Sequence, residues 1–185
     1  MLRCCSLILV VITPPLLAQA PSFLEQTGLL DDSDISAPPF SSGIAVGLAD
    51  MNGDRRDDII RIHDMRELSI EYQAAPGSPF GHLDFGPSTL TLAWSLCVAD
   101  VDRNGFNDMV VGELFAGHEC YLANGTGSGY VVTPLPMPVQ TVQDVIFTDL
   151  DNDGWLDVFA CDDVDDLHKY RNTGGGVFVF DDTLV

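Results

Sequence analysis

Positive charge is what this chain of 185 residues has least of: eight Lys and Arg stand against 28 Asp and Glu, for a formal net charge of −20. A field of that sign repels nucleic acid and anionic membrane surfaces, so neither is expected as a partner. Cysteine is also sparse. Of the five, Cys4 and Cys5 lie within the first twenty residues, and Cys97, Cys120 and Cys161 show no C-x-x-C or other metal-ligand spacing. They read as small buried hydrophobes, with one disulfide open to them in an oxidising compartment. Catalytic signatures are missing too: there is no G-x-S-x-G elbow, no H-E-x-x-H helix and no phosphate-cradling glycine loop. His63, His82, His118 and His168 have no partner spacing. No catalysis is expected of the chain.

What is present begins with an export signal over residues 1–20, where Arg3 gives a positive start, 7–12 an apolar stretch and Ala18-Gln19-Ala20 a small-residue cleavage site. Pro14 and Pro15 interrupt an apolar run already shorter than the ~20 residues of a spanning helix, and no later segment is long and apolar enough. The mature chain is therefore expected to be secreted, periplasmic or at the cell surface, with no membrane span. Losing Arg3 takes the charge from −20 to −21. Acidity of this order accompanies disorder in chains poor in apolar residues, but a hydrophobic content of 46% supplies a core. Residues 21–41 read as a linker, or as an outer strand contributed by the N-terminus, with only 22–24 strand-like.

An internal repeat organises the rest, over 42–185, in units of about 42–92, 93–141 and 142–185. Asp50, Asp100 and Asp149 open three acidic blocks, with starts 50 and 49 residues apart. Each block gives an apolar run, the acidic loop, and three further runs separated by polar or Gly-rich turns. The runs are 44–49, 59–62, 68–72 and 90–92 in the first block; 94–99, 109–114, 120–123 and 130–134 in the second; and 145–148, 158–161, 167–171 and 177–180 in the third. Short segments rich in Val, Ile, Phe, Tyr and Leu, bounded by Gly, Asn, Asp and Pro, are strands. The fold expected is all-β, with almost no helix. Tyr72, Tyr121 and Tyr170 recur 22, 21 and 21 residues after the first loop aspartate, and are expected to pack between neighbouring sheets.

The loops place oxygen-bearing side chains at positions one, three, five and nine. These are Asp50, Asn52, Asp54 and Asp58; Asp100, Asp102, Asn104 and Asp108; and Asp149, Asp151, Asp153 and Asp157. Ca²⁺ takes about six to eight oxygens, and a backbone carbonyl at position seven, from Arg56, Phe106 or Trp155, would complete each set. Mg²⁺ demands a strict octahedron, and Zn²⁺ would favour the His or Cys these loops lack. An EF-hand is excluded, since position twelve holds Arg61, Val111 and Ala160 instead of a bidentate Glu. Asp, Asn and Gly also make ordinary turns, but carboxylates packed this closely three times over repel one another unless a cation offsets the charge. Up to three structural Ca²⁺ ions are expected, with affinity in the order three, two, one: site three has four carboxylates and Gly154, while site one has Arg55 where glycine would ease the turn.

With these residues assembled, DLDNDGWLD at 149–157, YRNTGGGVF at 170–178 and DVDRNGFND at 100–108 resemble the FG-GAP/VCBS-like repeats of integrin-α-type β-propellers. The resemblance implies four-stranded antiparallel blades with a calcium loop between the first and second strands of each, three blades in all. Three blades do not close a ring, so the sequence reads as part of a larger propeller or as an open arc that pairs with other copies through its edges. The resemblance further implies a module that binds an extracellular protein, a glycan or a cell surface. The alternative it leaves is a non-catalytic scaffold, or a piece of a larger multidomain enzyme or adhesin.

Overall fold

The computed structural model describes residues 24–30, 46–63, 67–87, 92–113, 117–136, 142–162, 164, 167–181 and 183. The export signal, residues 22 and 23 and residues 90 and 91 lie outside them. Among the described residues are twelve strands, and the only helix is one 3-10 turn, Thr27–Leu29. The strands form three four-stranded antiparallel sheets in simple chain order. Sheet one holds β1 (Val46–Ala49), β2 (Asp58–His63), β3 (Glu67–Tyr72) and β4 (Gly81–Pro87). Sheet two holds β5 (Ala93–Ala99), β6 (Asp108–Glu113), β7 (His118–Ala123) and β8 (Tyr130–Pro134). Sheet three holds β9 (Val142–Thr148), β10 (Asp157–Asp162), β11 (His168–Asn172) and β12 (Phe178–Phe180). The expected all-β architecture of partial propeller blades is what the chain forms.

One strand falls elsewhere than expected. The fourth strand of sheet one is Gly81–Pro87, not 90–92; Leu92, the described residue of that run, is a bend. His82, Leu83, Asp84 and Phe85 alternate polar and apolar with the two-residue period of a strand, and Leu83 and Phe85 pack on the first core. Flanking Gly81, Gly86 and Pro87 disguise the pattern.

β1 lies against β5 and β5 against β9, so the sheets are arrayed about their first strands as blades are. Alternation then sends successive side chains of the middle strands to opposite neighbours. Ile60, Ile62, Leu68 and Ile70 of sheet one meet Met109, Val111 and Tyr121 of sheet two in one buried cluster. Val110 and Cys120, on the other face of sheet two, meet Val158, Ala160 and Tyr170 of sheet three in a second. β6 is buried along its whole length because it serves both clusters.

Register corrects the tyrosine repeat. Met109 pairs with Tyr121 and Val158 with Tyr170, but the corresponding Ile59 pairs with Glu71. Tyr72 is one residue late, as its longer interval indicates, and a one-residue offset turns a strand side chain to the opposite face. Tyr121 and Tyr170 are buried between sheets as expected, and Tyr72, partly buried, also packs on the seam of sheets one and two, but from the opposite face, so Glu71 takes the equivalent register position in sheet one. Glu71 is fully buried there and ion-paired to buried Arg61, while His82 Nδ1 lies 2.9 Å from the same carboxylate oxygen. Of the cysteines, Cys120 is buried and Cys97 partly so, but Cys161 is exposed, which departs from the reading of all three as buried. No helix among the described residues is long and apolar enough to cross a membrane.

Candidate metal centres

Each acidic loop links the first strand of a sheet to the second, as the sequence places it: 50–58 between β1 and β2, 100–108 between β5 and β6, and 149–157 between β9 and β10. The chain reverses within nine residues by taking left-handed backbone at positions four and six of every loop. These are Gly53 (φ 79°) and Arg55 (φ 67°), Arg103 (φ 61°) and Gly105 (φ 92°), and Asn152 (φ 60°) and Gly154 (φ 91°). Loop one thus exchanges the two residue types, keeping glycine at position four and forcing arginine into the left-handed region at six. L side chains there cost about 1–2 kcal/mol.

The position-nine aspartates have the same role in all three loops. Asp58, Asp108 and Asp157 are fully buried. In each, Oδ2 accepts the N–H of loop position two: from Met51 at 2.8 Å, Val101 at 2.8 Å and Leu150 at 2.9 Å. Oδ1 accepts an N–H at the end of the third strand or just past it: from Gln73 at 2.9 Å, Ala123 at 2.8 Å and Asn172 at 2.9 Å. Each oxygen retains a second lone pair, so these clamps leave room for a cation. Burial, the largest influence, raises the carboxyl pKa of all three, to about 6 for Asp108, against the lowering effect of the N–H donors. Without a cation, holding the Asp108 charge therefore costs the fold stability as pH rises through about 6.

The remaining side chains differ between loops. In loop two, Asp100 Oδ2 accepts Gly105 N–H at 2.9 Å, and Asp102 Oδ1 accepts Asn104 N–H at 2.9 Å. Asn104 Oδ1 takes Phe106 N–H at 2.8 Å. Asp100, Asp102 and Asp108 each turn an oxygen to a common point, all within 4.8 Å of one another. Asp149, Asp151 and Asp153 converge in the same way in loop three. There Asp153 Oδ1 takes Trp155 N–H at 2.8 Å and Asp149 Oδ2 takes Gly154 N–H at 3.0 Å. Asp149 Oδ1, though buried, has no hydrogen-bond partner. A buried anionic oxygen with nothing to pair it is costly, and a hard cation among three carboxylates is the partner its chemistry fits.

Loop one forms no such group among the described residues. Asn52 replaces a carboxylate, and Asp54 Oδ2 is taken by the Arg56 guanidinium at 2.8 Å. Asp50 is likewise engaged, accepting N–H groups from Gly53, Asp54 and Arg55 at 2.7, 3.1 and 2.6 Å. Arg56, expected to offer only its carbonyl, thus supplies an internal cation through its side chain.

Three residues that spacing did not single out join the loops to each other. Asn107 Nδ2 donates to Asp50 O at 2.9 Å, and Asn172 Nδ2 to Val101 O at 2.9 Å. Arg103 donates from Nη2 to Gly154 O and lays its guanidinium 4.0 Å from the Trp155 ring centroid. Their signal is positional only: each belongs to one block and touches a neighbouring one, which a within-block pattern does not reveal.

The FG-GAP repeat family model matches residues 92–132. Those residues are similar to an FG-GAP repeat. The matched segment runs from the start of β5 into β8 and encloses loop two. FG-GAP units are typically structural or binding elements rather than catalytic ones, and the three four-stranded antiparallel sheets are consistent with partial propeller blades. No curated protein matches it.

Proposed function

We propose that the chain is an exported calcium-binding repeat module, in which Ca²⁺ braces the turn between the first two strands of sheets two and three and, more weakly, of sheet one. The observation that carries this reading is the unpartnered buried oxygen of Asp149 within a group of three converging carboxylates. Ion binding would offset their mutual repulsion and tie β9 to β10. The ligand sets are those of the sequence reading: side chains at positions one, three, five and nine, with the position-seven carbonyls of Arg56, Phe106 and Trp155.

The test is thermal melting with calorimetric titration. Exhaustive chelation should lower Tm and Ca²⁺ should restore it, with binding at no more than three sites; a metal-free protein that melts at the same temperature with and without Ca²⁺ would falsify the reading. An extracellular protein or glycan is the partner class proposed for the module, and calcium-dependent retention on matrix or glycan surfaces checks it. Melting that depends on calcium with no retained partner favours the scaffold instead.

A second copy is the other partner, favoured by one observation. In sheet two the face holding Cys97 and Val110 is covered by sheet three. The equivalent pair in sheet three, Ile146 with Phe159, faces away from sheet two, and Ile146 is 46% exposed. Light scattering at rising concentration should detect association through this face, and replacing Ile146 by Lys should abolish it.

A further inference from the structure

The braces between loops two and three are of a different kind from those between loops one and two. Loop one receives a neutral amide bond from Asn107 and the ring of Phe106 against Gly53. Loop three receives a guanidinium. Arg103 stands at position four of loop two, between Asp102 and Asn104, which close that loop through the 2.9 Å bond from Asn104 N–H to Asp102 Oδ1. Its side chain crosses to Gly154 O and stacks on Trp155. Gly154 N–H in turn holds Asp149 Oδ2, and Trp155 N–H holds Asp153 Oδ1. A second link runs beside it: Asn172, whose N–H is clamped by Asp157, donates through Nδ2 to Val101 O and to Leu156 O at 2.9 and 3.1 Å. Val101 is the residue whose N–H is clamped by Asp108. The carboxylates of one loop are thus joined through two short covalent and hydrogen-bonded paths to those of the next.

We propose that loops two and three take up cations as a coupled pair, with Arg103 as the positioning residue that transmits the state of loop two to loop three. This rests on the reading of both loops as cation sites. An ion in loop two fixes the left-handed turn at Arg103, and the fixed guanidinium holds the Gly154–Trp155 turn in its binding shape. Loop three then orders less on binding its own ion and binds more tightly. Arg103 donates to a carbonyl, which leaves the anionic oxygens of Asp149, Asp151 and Asp153 to the metal. Coupling between sites commonly spans about 5–150-fold in affinity, and by reciprocity an ion in loop three strengthens loop two by the same factor.

Tb³⁺ luminescence is read through Trp155, at position seven of loop three; because Trp155 also touches Arg103 of loop two, the signal left in Asp149→Asn/Asp151→Asn, which disables loop three, is subtracted as loop two's share. Trp94, near the start of β5 and bonded to Gln143, lies at the far end of the sheet from the loops. Titrations of the full chain are compared with Asp102→Asn, which weakens loop two while its Oδ1 still accepts Asn104 N–H, and with Arg103→Ala, Arg103→Lys and the Asp102→Asn/Arg103→Ala double variant. Loop-three affinity should fall about tenfold in Asp102→Asn and in Arg103→Ala, with little further loss in the double variant and partial recovery in Arg103→Lys. Melting in ion-free buffer separates this role from plain support of the fold, since Arg103→Ala should lower Tm less there than in Ca²⁺. Sensitised titrations that superimpose for wild type and Asp102→Asn overturn the coupling while leaving the sites intact. Absence of any sensitised terbium signal in the wild type overturns the cation reading, and the coupling with it.

Discussion

Sheets one and three share strand order, loop length and the position-nine clamp, yet they satisfy charge by opposite means. Loop three gathers Asp149, Asp151 and Asp153 with no basic residue of its own among them and leaves Asp149 Oδ1 unpaired. Loop one pairs Asp54 with its own Arg56. The contrast continues on β3 and β11. Tyr170 fills the seam between sheets two and three, whereas Glu71, at the equivalent register, is buried with Arg61 and His82 on the face of sheet one turned away from sheet two. Block three is thus arranged to receive an external cation and a neighbouring sheet, and block one carries its own cations at both places. A repeat can keep its backbone frame while changing what completes it.

The largest effects should come from these two equivalent positions. Tyr170→Ala removes a fully buried ring from the second core and should cost about 3–5 kcal/mol in denaturant unfolding. Glu71→Gln leaves Arg61 buried without its carboxylate, and a similar loss of about 3–5 kcal/mol is expected. What separates the two is the repair. Replacing both Arg61 and Glu71 by Met and Leu should be neutral or stabilising, as buried ion pairs often prove when exchanged for apolar residues. A double variant as unstable as Glu71→Gln would mean that the pair, unlike Tyr170, cannot be replaced by packing.

Acid should loosen one seam more than the other. His118, buried on sheet two against Tyr170 with ring centroids 5.7 Å apart, has its pKa lowered to about 4, mainly by burial, with His168 opposing protonation and Asp162 and Glu113 favouring it. The folded chain therefore binds fewer protons than the unfolded one between about pH 6.5 and 4. The contribution is intact above 6.5, declines as pH falls to about 4 and is constant below, a total of about 3 kcal/mol. His118→Phe should flatten this part of the stability profile. An unchanged slope would place the acid sensitivity elsewhere.

Much of this was legible because it depends on short-range pattern. Strand positions followed from apolar runs between turn residues, and loop ligands from a nine-residue motif that brings its own members together. What escaped was relational. Arg103, Asn107 and Asn172 act on a neighbouring block, and no periodicity within their own block marks them. Glu71 was hidden by a tyrosine one position too late, since a single-residue shift changes the face without disturbing the visible repeat. Gly81–Pro87 was overlooked because glycine and proline at its ends outweighed the alternation of Leu83 and Phe85 between them.

Calorimetry on variants that each retain one working loop sharpens the comparison at the ion sites. The order three, two, one is expected, with site three at least about tenfold tighter than site one, because site one lacks a carboxylate at position three and must displace Arg56 from Asp54. Arg56→Ala should narrow the gap by freeing Asp54. Site one tighter than site three would reverse the account of how the two loops balance charge.

The smallest effect isolates the backbone. Arg55 is held at φ 67°, where loops two and three have Gly105 and Gly154 at φ 92° and 91°. Arg55→Gly removes the steric cost of a side chain in that region but increases the freedom of the unfolded chain, and the two terms oppose each other. Because the left-handed penalty of about 1–2 kcal/mol exceeds the entropic loss of about 0.4–1 kcal/mol, the variant should gain up to about 1 kcal/mol. The same exchange in reverse at a glycine with open space beside it, Gly105→Arg, should destabilise sheet two by a comparable amount. A gain in one direction without a loss in the other would show that the two loops differ in more than the residue at their sixth position.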